Sequence, residues 1–368
     1  MNSAKKLILI SAACTAFISC PTIPPHVAAE YRLKPSAEYN KDNTTELNTP
    51  PKTVTIGRED YKAVYKFDFT DAEADKFYAD FERPTQTRRS SYWITDMVYV
   101  KDNVLNVTTQ AKTGSEIKTY LSNNKTEYPD VAQPDADRGD DAKKIEDGDY
   151  WGVTGAALKK EGDLYGLYVA RIAMDRKAAG HWMAYWFYGQ DASTEGRKIG
   201  RDYEFDMLEY HQINTSSRKV AATTHWPIEL PGKRSRVSAT KDIELSYSAA
   251  EYHTYALLWT PDEVVYYIDW EPVSIFFADE TYYDTALSAA KINSLKKTHK
   301  MICDVPLQIH FSNEVGGTGW MVGWAGALNV DQLKSRMDNM KVDWYVHYTT
   351  DELKAAAAAA GVNYTYLE

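Results

Sequence analysis

Cysteine is scarce in this chain, and its scarcity limits how the fold can be stabilised. The 368 residues include three cysteines, Cys14, Cys20 and Cys303, and the first two lie in an N-terminal segment of different chemistry. The body of the chain has a single thiol, so it cannot form a disulfide within itself. It must be stabilised by burial of apolar surface, for which roughly 290 residues are enough. Cys303 is predicted to be a small buried side chain.

Positive charge and metal-binding motifs are also lacking. The formal net charge is −10, which argues against a general nucleic-acid binder because phosphate contacts need clustered Lys and Arg. The sequence has no HExxH motif, no pair of CxxC motifs, no Gly-rich phosphate loop and no His cluster with metal-ligand spacing. We therefore expect no nucleic-acid partner, no required cofactor and no catalytic metal.

The one long apolar run lies near the N-terminus. Two lysines precede Leu7–Ile18, which is too short to span a bilayer but suits the h-region of a signal peptide. Phe17–Cys20 resembles the lipobox of bacterial lipoproteins, in which the cysteine is lipidated and becomes the mature N-terminus. Ordinary cleavage nearby, followed by free secretion, is the alternative. We expect a signal peptide over residues 1–19 and an extracytoplasmic protein that is held on a bacterial membrane by lipidated Cys20 alone.

Aromatic residues, by contrast, are abundant. Ten Trp and 27 Tyr would suit either the apolar faces of sugars or the core of a β-sandwich. From Tyr61 onward, short runs rich in Tyr, Val, Trp and Ile alternate with Gly, Asp, Asn and Pro, which is typical of an all-β chain. The pattern predicts an antiparallel two-sheet β-sandwich of the jelly-roll kind.

Changes in composition predict the domain boundaries. Six prolines among Asn, Thr, Glu and Lys predict an extended tether over residues 20–58, followed by the main domain at 59–350. The polar, charge-rich residues 111–149 inside that domain are predicted to form a long loop. Residues 351–368 are predicted to be a helical tail, because Thr350 can cap a helix that begins with two acidic residues and continues through a run of alanines.

Three carboxylates lie on one predicted strand. Glu204 and Asp206 share a face of a regular strand, whereas Glu209, five residues after Glu204, would face the other side. A β-bulge at Met207 and Leu208 inserts one residue and returns Glu209 to the first face. Strand spacing and the reach of the two glutamates then predict carboxyl groups about 5–5.5 Å apart, the separation of retaining glycosidases.

Asp206 lies between the two glutamates on this strand. It is close enough to separate their pKa values, as a nucleophile and a general acid/base require. A solvated acidic strand face and a calcium site are the alternatives, because carboxylates cluster in both.

The motif Glu204-x-Asp206-x-x-Glu209 resembles the bulged signature of glycoside hydrolase family 16, which includes laminarinases, mixed-linkage glucanases, agarases and carrageenases. Over about residues 60–350, further segments resemble those of the family and occur in its order: Tyr165–Ile172, His181–Trp186, Thr224–Trp226, Tyr252–Asp262 and Met340–Trp344. The resemblance implies a curved, concanavalin A-like sandwich with a concave substrate cleft. It also implies that Glu204 is the nucleophile, Asp206 its supporting carboxylate and Glu209 the general acid/base.

Five further residues are candidates for binding the substrate. Trp182 and Trp226 are predicted platforms for sugar rings, with a place in the core as the alternative for each. Trp186 shares the face of Trp182 if the strand is regular. His225 is a candidate to hydrogen-bond the acid/base or a sugar hydroxyl, and Trp320, after two glycines, is a candidate for the rim of the cleft.

The carboxylate geometry and the resemblance together predict a retaining endo-β-glycanase that works by double displacement and acts as a monomer on its polysaccharide. The resemblance implies a β-1,3- or mixed β-1,3/1,4-glucan as the substrate, because bulged members often act there. His310, where glucanases often have Asn, leaves the substrate open. The alternatives are a galactanase of the same family, acting on agar, porphyran or carrageenan, and a non-catalytic carbohydrate-binding lipoprotein. Asp343 aligns with a position that helps to bind a structural calcium in some members, but one carboxylate is far fewer than the ligands this ion needs.

Overall fold

The structure is a computed structural model. It describes residues 22–88, 91–123, 147–175, 180–189, 203–211, 218–230, 233–278, 282–283, 302–315 and 325–368. The predicted signal segment with Cys20, and the predicted rim residue Trp320, lie outside this part of the chain.

The described residues form 21 strands, five short α-helices and two 3-10 turns. The strands are β1 (Leu33–Pro35), β2 (Thr53–Ile56), β3 (Glu59–Phe67), β4 (Phe81–Glu82), β5 (Gln86–Arg88), β6 (Ser91–Trp93), β7 (Val98–Lys101), β8 (Val104–Thr113), β9 (Tyr150–Thr154), β10 (Ala156–Lys159), β11 (Gly166–Met174), β12 (His181–Tyr188), β13 (Glu204–His211), β14 (Lys219–Leu230), β15 (Lys233–Glu244), β16 (His253–Trp259), β17 (Glu263–Ile268), β18 (Glu271–Phe277), β19 (Tyr282–Tyr283), β20 (Gln308–Val315) and β21 (Met337–Thr349). The helices are α1 (Pro25–Tyr31), α2 (Ala74–Asp80), α3 (Gly114–Asn123), α4 (Val330–Leu333) and α5 (Asp351–Ala359), and the 3-10 turns are Asp71–Glu73 and Thr95–Met97.

The strands are arranged in two sheets. The smaller sheet has the order β15-β14-β13-β12-β20-β10-β4, and its neighbours are antiparallel. The larger sheet has fourteen strands, with β11 and β21 paired at its centre. One of its pairs, β6 with β9, is parallel. The predicted all-β, jelly-roll sandwich is confirmed, with this parallel pair as a local exception.

Aromatic side chains fill the space between the sheets. Phe205 of the smaller sheet meets Trp259 of the larger sheet edge to face, with ring centroids 5.3 Å apart. Tyr185 stacks on Phe311 at 4.9 Å, and Phe311 meets Tyr345 of the larger sheet at 6.0 Å. Because side chains alternate along a strand, the same strands of the smaller sheet present a second, polar face on the opposite side. The three carboxylates lie on that face.

The N-terminal segment packs on the larger sheet, so the predicted tether is wrong for residues 22–58. β1 pairs with β2, and β2 pairs with β3 of the larger sheet. Leu33 and Val54 are buried. Proline removes a backbone donor only at its own position, and the apolar residues between the prolines supply strand pairing and burial.

The predicted loop at residues 111–149 is also partly wrong. Residues 111–113 belong to β8, and α3 follows directly, with Ile117 and Leu121 buried. These two side chains are four residues apart, so they lie on one face of the helix. Residues 124–146 lie outside the described part of the chain.

The helix predicted after Thr350 is present. The Thr350 side chain accepts a hydrogen bond from the Leu353 amide, as an N-cap residue does. The chain then returns to the body, where the Tyr364 hydroxyl accepts from the amide of Leu164 at 2.7 Å and donates to its carbonyl at 2.9 Å. The tail is therefore docked on the main domain.

Two smaller expectations concern Cys303 and membrane contact. Cys303 is fully buried as a free thiol, as predicted, and burial raises its pKa far above the usual range. Among the described helices, none has both the length and the apolar character needed to cross a bilayer.

Candidate active site

A β-bulge in β13 brings the three carboxylates to one face. Against β12, Tyr185 pairs with Leu208 and the next residue, Trp186, pairs with Asp206, so the register passes over Met207. Against β14, the register also shifts between Asp206 and Glu209. Met207 and Leu208 are both buried. The predicted bulge is confirmed, and it sends the two apolar side chains into the core while the acidic side chains point to the opposite face of the sheet.

Glu204 and Asp206 meet at one histidine. His225 lies opposite Glu204 in the pairing of β13 with β14. Its Nε2 is 3.0 Å from Oδ2 of Asp206 and 3.6 Å from Oε1 of Glu204. The side chains of His225 and Glu204 are 14% and 15% exposed, so a substrate can reach the glutamate while the imidazole holds the two carboxylates together.

Glu209 is held by a different set of donors. The Thr223 hydroxyl donates to its Oε2 at 2.8 Å, and the Trp182 indole N–H donates to its Oε1 at 3.1 Å. Nε2 of His211 is 3.5 Å from the same Oε1. Thr223 pairs with Asp206 in the sheet, so the bond to Thr223 places Glu209 on the same face as Asp206.

The surroundings of Glu209 favour its protonated form. Burial is the main cause that raises the pKa of Glu209, to about 8, and the negative charges of Asp206 and Glu204 add to it. The hydrogen bond from Thr223 and the nearby His225 act in the opposite direction. A carboxylic acid that keeps its proton at neutral pH can protonate a leaving oxygen, which is what a general acid must do.

This pKa predicts how activity depends on pH. We expect kcat/KM to fall as the pH rises through about 8, because ionised Glu209 cannot act as an acid. Thr223→Val removes a bond that favours the ionised form, so the basic limb should move to higher pH. Asp206→Asn removes a repulsive charge, so the limb should move to lower pH. Limbs that stay in place in both variants, measured with one soluble substrate, would contradict Glu209 as the acid.

Two of the predicted sugar-binding tryptophans lie on the carboxylate face. The Trp182 ring lies 4.5 Å from the ring of His211, and both Trp182 and Trp186 are half-buried. Trp186 pairs with Asp206; its indole N–H donates to the Ser312 hydroxyl at 2.9 Å, and its ring meets His310 at 4.4 Å. His310 therefore lies on this face as well.

The structure contradicts the platform role of Trp226, which is 2% exposed and packs in the main core. Adjacent residues of a strand point to opposite sides, so Trp226 faces the core because His225 faces the carboxylates. His225 contacts Asp206 and Glu204 and not the acid/base, and its predicted bond to a sugar hydroxyl stays a prediction. The sequence did not identify Thr223 as a partner of Glu209. Thr223 lies two residues before His225 on β14, so the two side chains share a face.

No metal is needed to explain the contacts at this site. Within the described ranges, one group of three side chains, Glu204, Asp206 and His225, brings potential ligand atoms within 4.8 Å of one another. His225 forms a hydrogen bond with Asp206 and lies 3.6 Å from Glu204, which accounts for that proximity. At the predicted calcium position, Asp343 binds the guanidinium of Arg171, so a protein cation already neutralises this carboxylate.

The family comparison agrees with the motif. Residues 151–299 match the model of the family described as glycosyl hydrolases family 16, and this range contains Glu204, Asp206 and Glu209. A glycoside hydrolase is thus the class of protein that the fold and the motif indicate. The resemblance to family 16 is confirmed over this part of the chain. No curated protein sequence matches the chain significantly.

Solved structures show the same fold over most of the chain. One comes from work on endo-acting O-glycanases that prominent members of the human gut microbiota express to initiate mucin breakdown; it has 16% identity, a TM-score of 0.57, and coverage of 84% of this chain and 97% of that one. The laminarinase catalytic domain of Thermotoga maritima has 18% identity, a TM-score of 0.52, and coverage of 79% and 99%. The kappa-carrageenase of Pseudoalteromonas carrageenovora has 15% identity, a TM-score of 0.53, and coverage of 78% and 94%. At these identities the likeness is one of fold.

Proposed function

We propose that the protein is a retaining endo-β-glycanase that hydrolyses a β-1,3- or mixed β-1,3/1,4-glucan. The observation that carries the proposal is the contrast between two glutamates on one face of β13. Glu209 accepts hydrogen bonds from Thr223 and Trp182 and has its pKa raised to about 8, mainly by desolvation, whereas Glu204 lies 3.6 Å from the imidazole that also contacts Asp206. Two carboxyl groups with different surroundings support an acid and a nucleophile.

The proposed reaction has two displacements. Glu209 gives its proton to the glycosidic oxygen as that bond breaks, while a carboxylate oxygen of Glu204 bonds to the anomeric carbon. Glu209, now ionised, then takes a proton from water, and the oxygen of that water displaces Glu204 from the sugar. His225 stays between Glu204 and Asp206 and holds the orientation of Glu204 throughout. The cycle ends with Glu209 protonated and Glu204 free.

Proteins of similar fold support more than one substrate class. The Thermotoga laminarinase supports a glucan, whereas the kappa-carrageenase and the O-glycanase support a galactan or a mucin glycan as the alternative. A binding protein without turnover is disfavoured, since it would need no acid with a raised pKa. Reducing-end release from laminarin, mixed-linkage glucan, agar, porphyran, carrageenan and mucin glycans would decide among these; release from none of them would contradict the proposed function.

Stereochemistry provides a direct test of the mechanism. We expect the first product to have the β-configuration of the substrate, because two successive displacements at the anomeric carbon restore its configuration. Proton NMR of the anomeric signals within the first turnovers would detect it before mutarotation mixes the anomers. An α-anomer as the first product would mean a single displacement, and Glu204 would then not be a nucleophile.

We also propose that the protein is anchored by a lipid on Cys20, on the extracytoplasmic side of a bacterial membrane. The support is the Lys-led apolar run that ends in Phe-Ile-Ser-Cys. Wild-type protein is expected in the detergent phase of a phase-separation assay, and Cys20→Ser is expected to be soluble or unprocessed. Cys303→Ser is the matched control and should partition like the wild type. Wild-type protein found only in the aqueous phase would contradict the anchor.

A further inference from the structure

We propose that Ser238 is a positioning residue that fixes the tautomer of His225 and, through it, the charge of Asp206 beside the nucleophile. The proposal rests on the function proposed above. Ser238 lies on β15 and is exposed. Its hydroxyl oxygen is 2.6 Å from Nδ1 of His225.

The sheet itself sets this contact. His225 pairs directly with Glu204 on one side and with Ser238 on the other. Residues that lie opposite each other in adjacent strands point to the same face. The imidazole therefore lies between the hydroxyl on β15, which faces Nδ1, and the two carboxylates on β13, which face Nε2.

The chemistry of these neighbours selects one tautomer. Nε2 faces Asp206 at 3.0 Å and Glu204 at 3.6 Å. Ionised carboxylates only accept hydrogen bonds, so Nε2 must carry the proton. In the neutral ring Nδ1 then has the lone pair, and Ser238 can satisfy it by donating its O–H. The resulting chain runs from the Ser238 hydroxyl through His225 to Oδ2 of Asp206.

The alternative tautomer would harm the site. A lone pair on Nε2 would face two carboxylates, and the repulsion would be relieved only by an extra proton on the ring or on Asp206. The charge of Asp206 is the second-largest cause of the raised pKa of Glu209. Loss of the Ser238 bond therefore affects both glutamates, although Ser238 touches neither of them in the structure.

The test is ¹⁵N NMR of the histidine side chains in full-length protein, with the His225 signals assigned by their absence in His225→Gln. The spectra are recorded at a pH high enough to neutralise the ring, and in the wild type we then expect the remaining proton on Nε2. Ser238→Ala should show averaged nitrogen shifts, and Ser238→Thr, which keeps the hydroxyl, should restore the wild-type signature. Water can reach this exposed position and replace part of the bond. The expected loss in kcat for Ser238→Ala is therefore roughly fivefold, the worth of one ordinary hydrogen bond, with KM little changed.

Asp242→Ala is the matched control, since Asp242 is also an exposed residue of β15 and forms an ion pair with Lys219. It should leave both the signals of His225 and the kcat unchanged. A proton on Nδ1 in the wild type, or identical His225 spectra in Ser238→Ala and wild type, would overturn the proposal. Because the spectra require no turnover, they decide the role of Ser238 even if every polysaccharide assay fails, which would refute only the proposed function.

Discussion

Glu204→Gln is expected to lower the turnover of the best β-glycan by roughly 10³-fold or more, while the protein stays folded. An amide has almost the shape of the carboxylate but cannot form the glycosyl ester, so the covalent route is lost. The side chain is 15% exposed and lies 3.6 Å from His225, so the effect of this isosteric change on packing should be small. Steady-state kcat and a thermal melt of the same preparation would measure both effects.

The two glutamates can also be distinguished by rescue with azide. In Glu204→Ala, azide can attack the anomeric carbon in place of the lost carboxylate, and the expected product is an α-glycosyl azide. In Glu209→Ala, azide attacks the glycosyl-enzyme from the opposite side, and the product should be the β-glycosyl azide. Glu244→Gln is the control, since Glu244 is an exposed partner of Arg218 on the same sheet.

A Glu204→Gln enzyme with more than about a tenth of wild-type activity would contradict the role of Glu204 as the nucleophile.

The placement of the three carboxylates on one face of β13 was predictable because it follows from counting residues along the strand. A strand alternates strictly, so a spacing of two and then three residues requires one inserted residue, and the apolar pair Met207 and Leu208 marked its place. The same alternation would have excluded Trp226 once His225 was assigned to the site. Contacts between strands were less accessible: the bond from Thr223 to Glu209 depends on the register of β14 against β13, which one sequence does not reveal.

The fold was predicted well where periodicity was strong and poorly where composition was the guide. A proline-rich, polar segment predicted a tether, yet Leu33 and Val54 bury themselves against the larger sheet. Similarly, charged residues concealed the spacing of Ile117 and Leu121 that marks one face of α3. Average composition describes a whole segment, whereas a few apolar side chains at the right interval decide whether it packs.

Arg171 shows why the N-terminal segment is attached so firmly. Its guanidinium binds Asp343 and donates to the carbonyls of Glu46 at 2.9 Å and Asn43 at 2.6 Å. The amide of Asn48 donates to the same Asp343 carboxylate at 2.9 Å. Arg171 is 1% exposed. One buried cation therefore joins the two central strands of the larger sheet to the loop that precedes β2.

Arg171→Met is expected to lower the free energy of unfolding by about 3–5 kcal/mol, because it leaves a buried carboxylate without its counter-charge. Arg32→Met is the control: its pair with Glu271 also ties the N-terminal segment, but both side chains are 51% exposed, and such pairs contribute at most about 1 kcal/mol. Urea unfolding of the two variants and the wild type would compare the losses. Equal losses in the two variants would contradict the importance of the buried pair.

The pH dependence of the stability lost in Arg171→Met identifies the cause of that loss. Burial raises the pKa of Asp343 to about 6, against the lowering effect of Arg171. The raised pKa means that Asp343 favours folding most below its unfolded value of 3.8 and contributes less as the pH rises through 6. Without Arg171 the folded pKa should rise further, so the variant should lose more stability at pH 8 than at pH 5, where protonated Asp343 needs no counter-charge. A chelator should leave the wild-type melting temperature unchanged, since the cation at Asp343 is the guanidinium. A loss from Arg171→Met that is the same at both pH values would contradict the role of Arg171 as the counter-charge of Asp343. A chelator-sensitive melt would show that a bound metal also stabilises the fold.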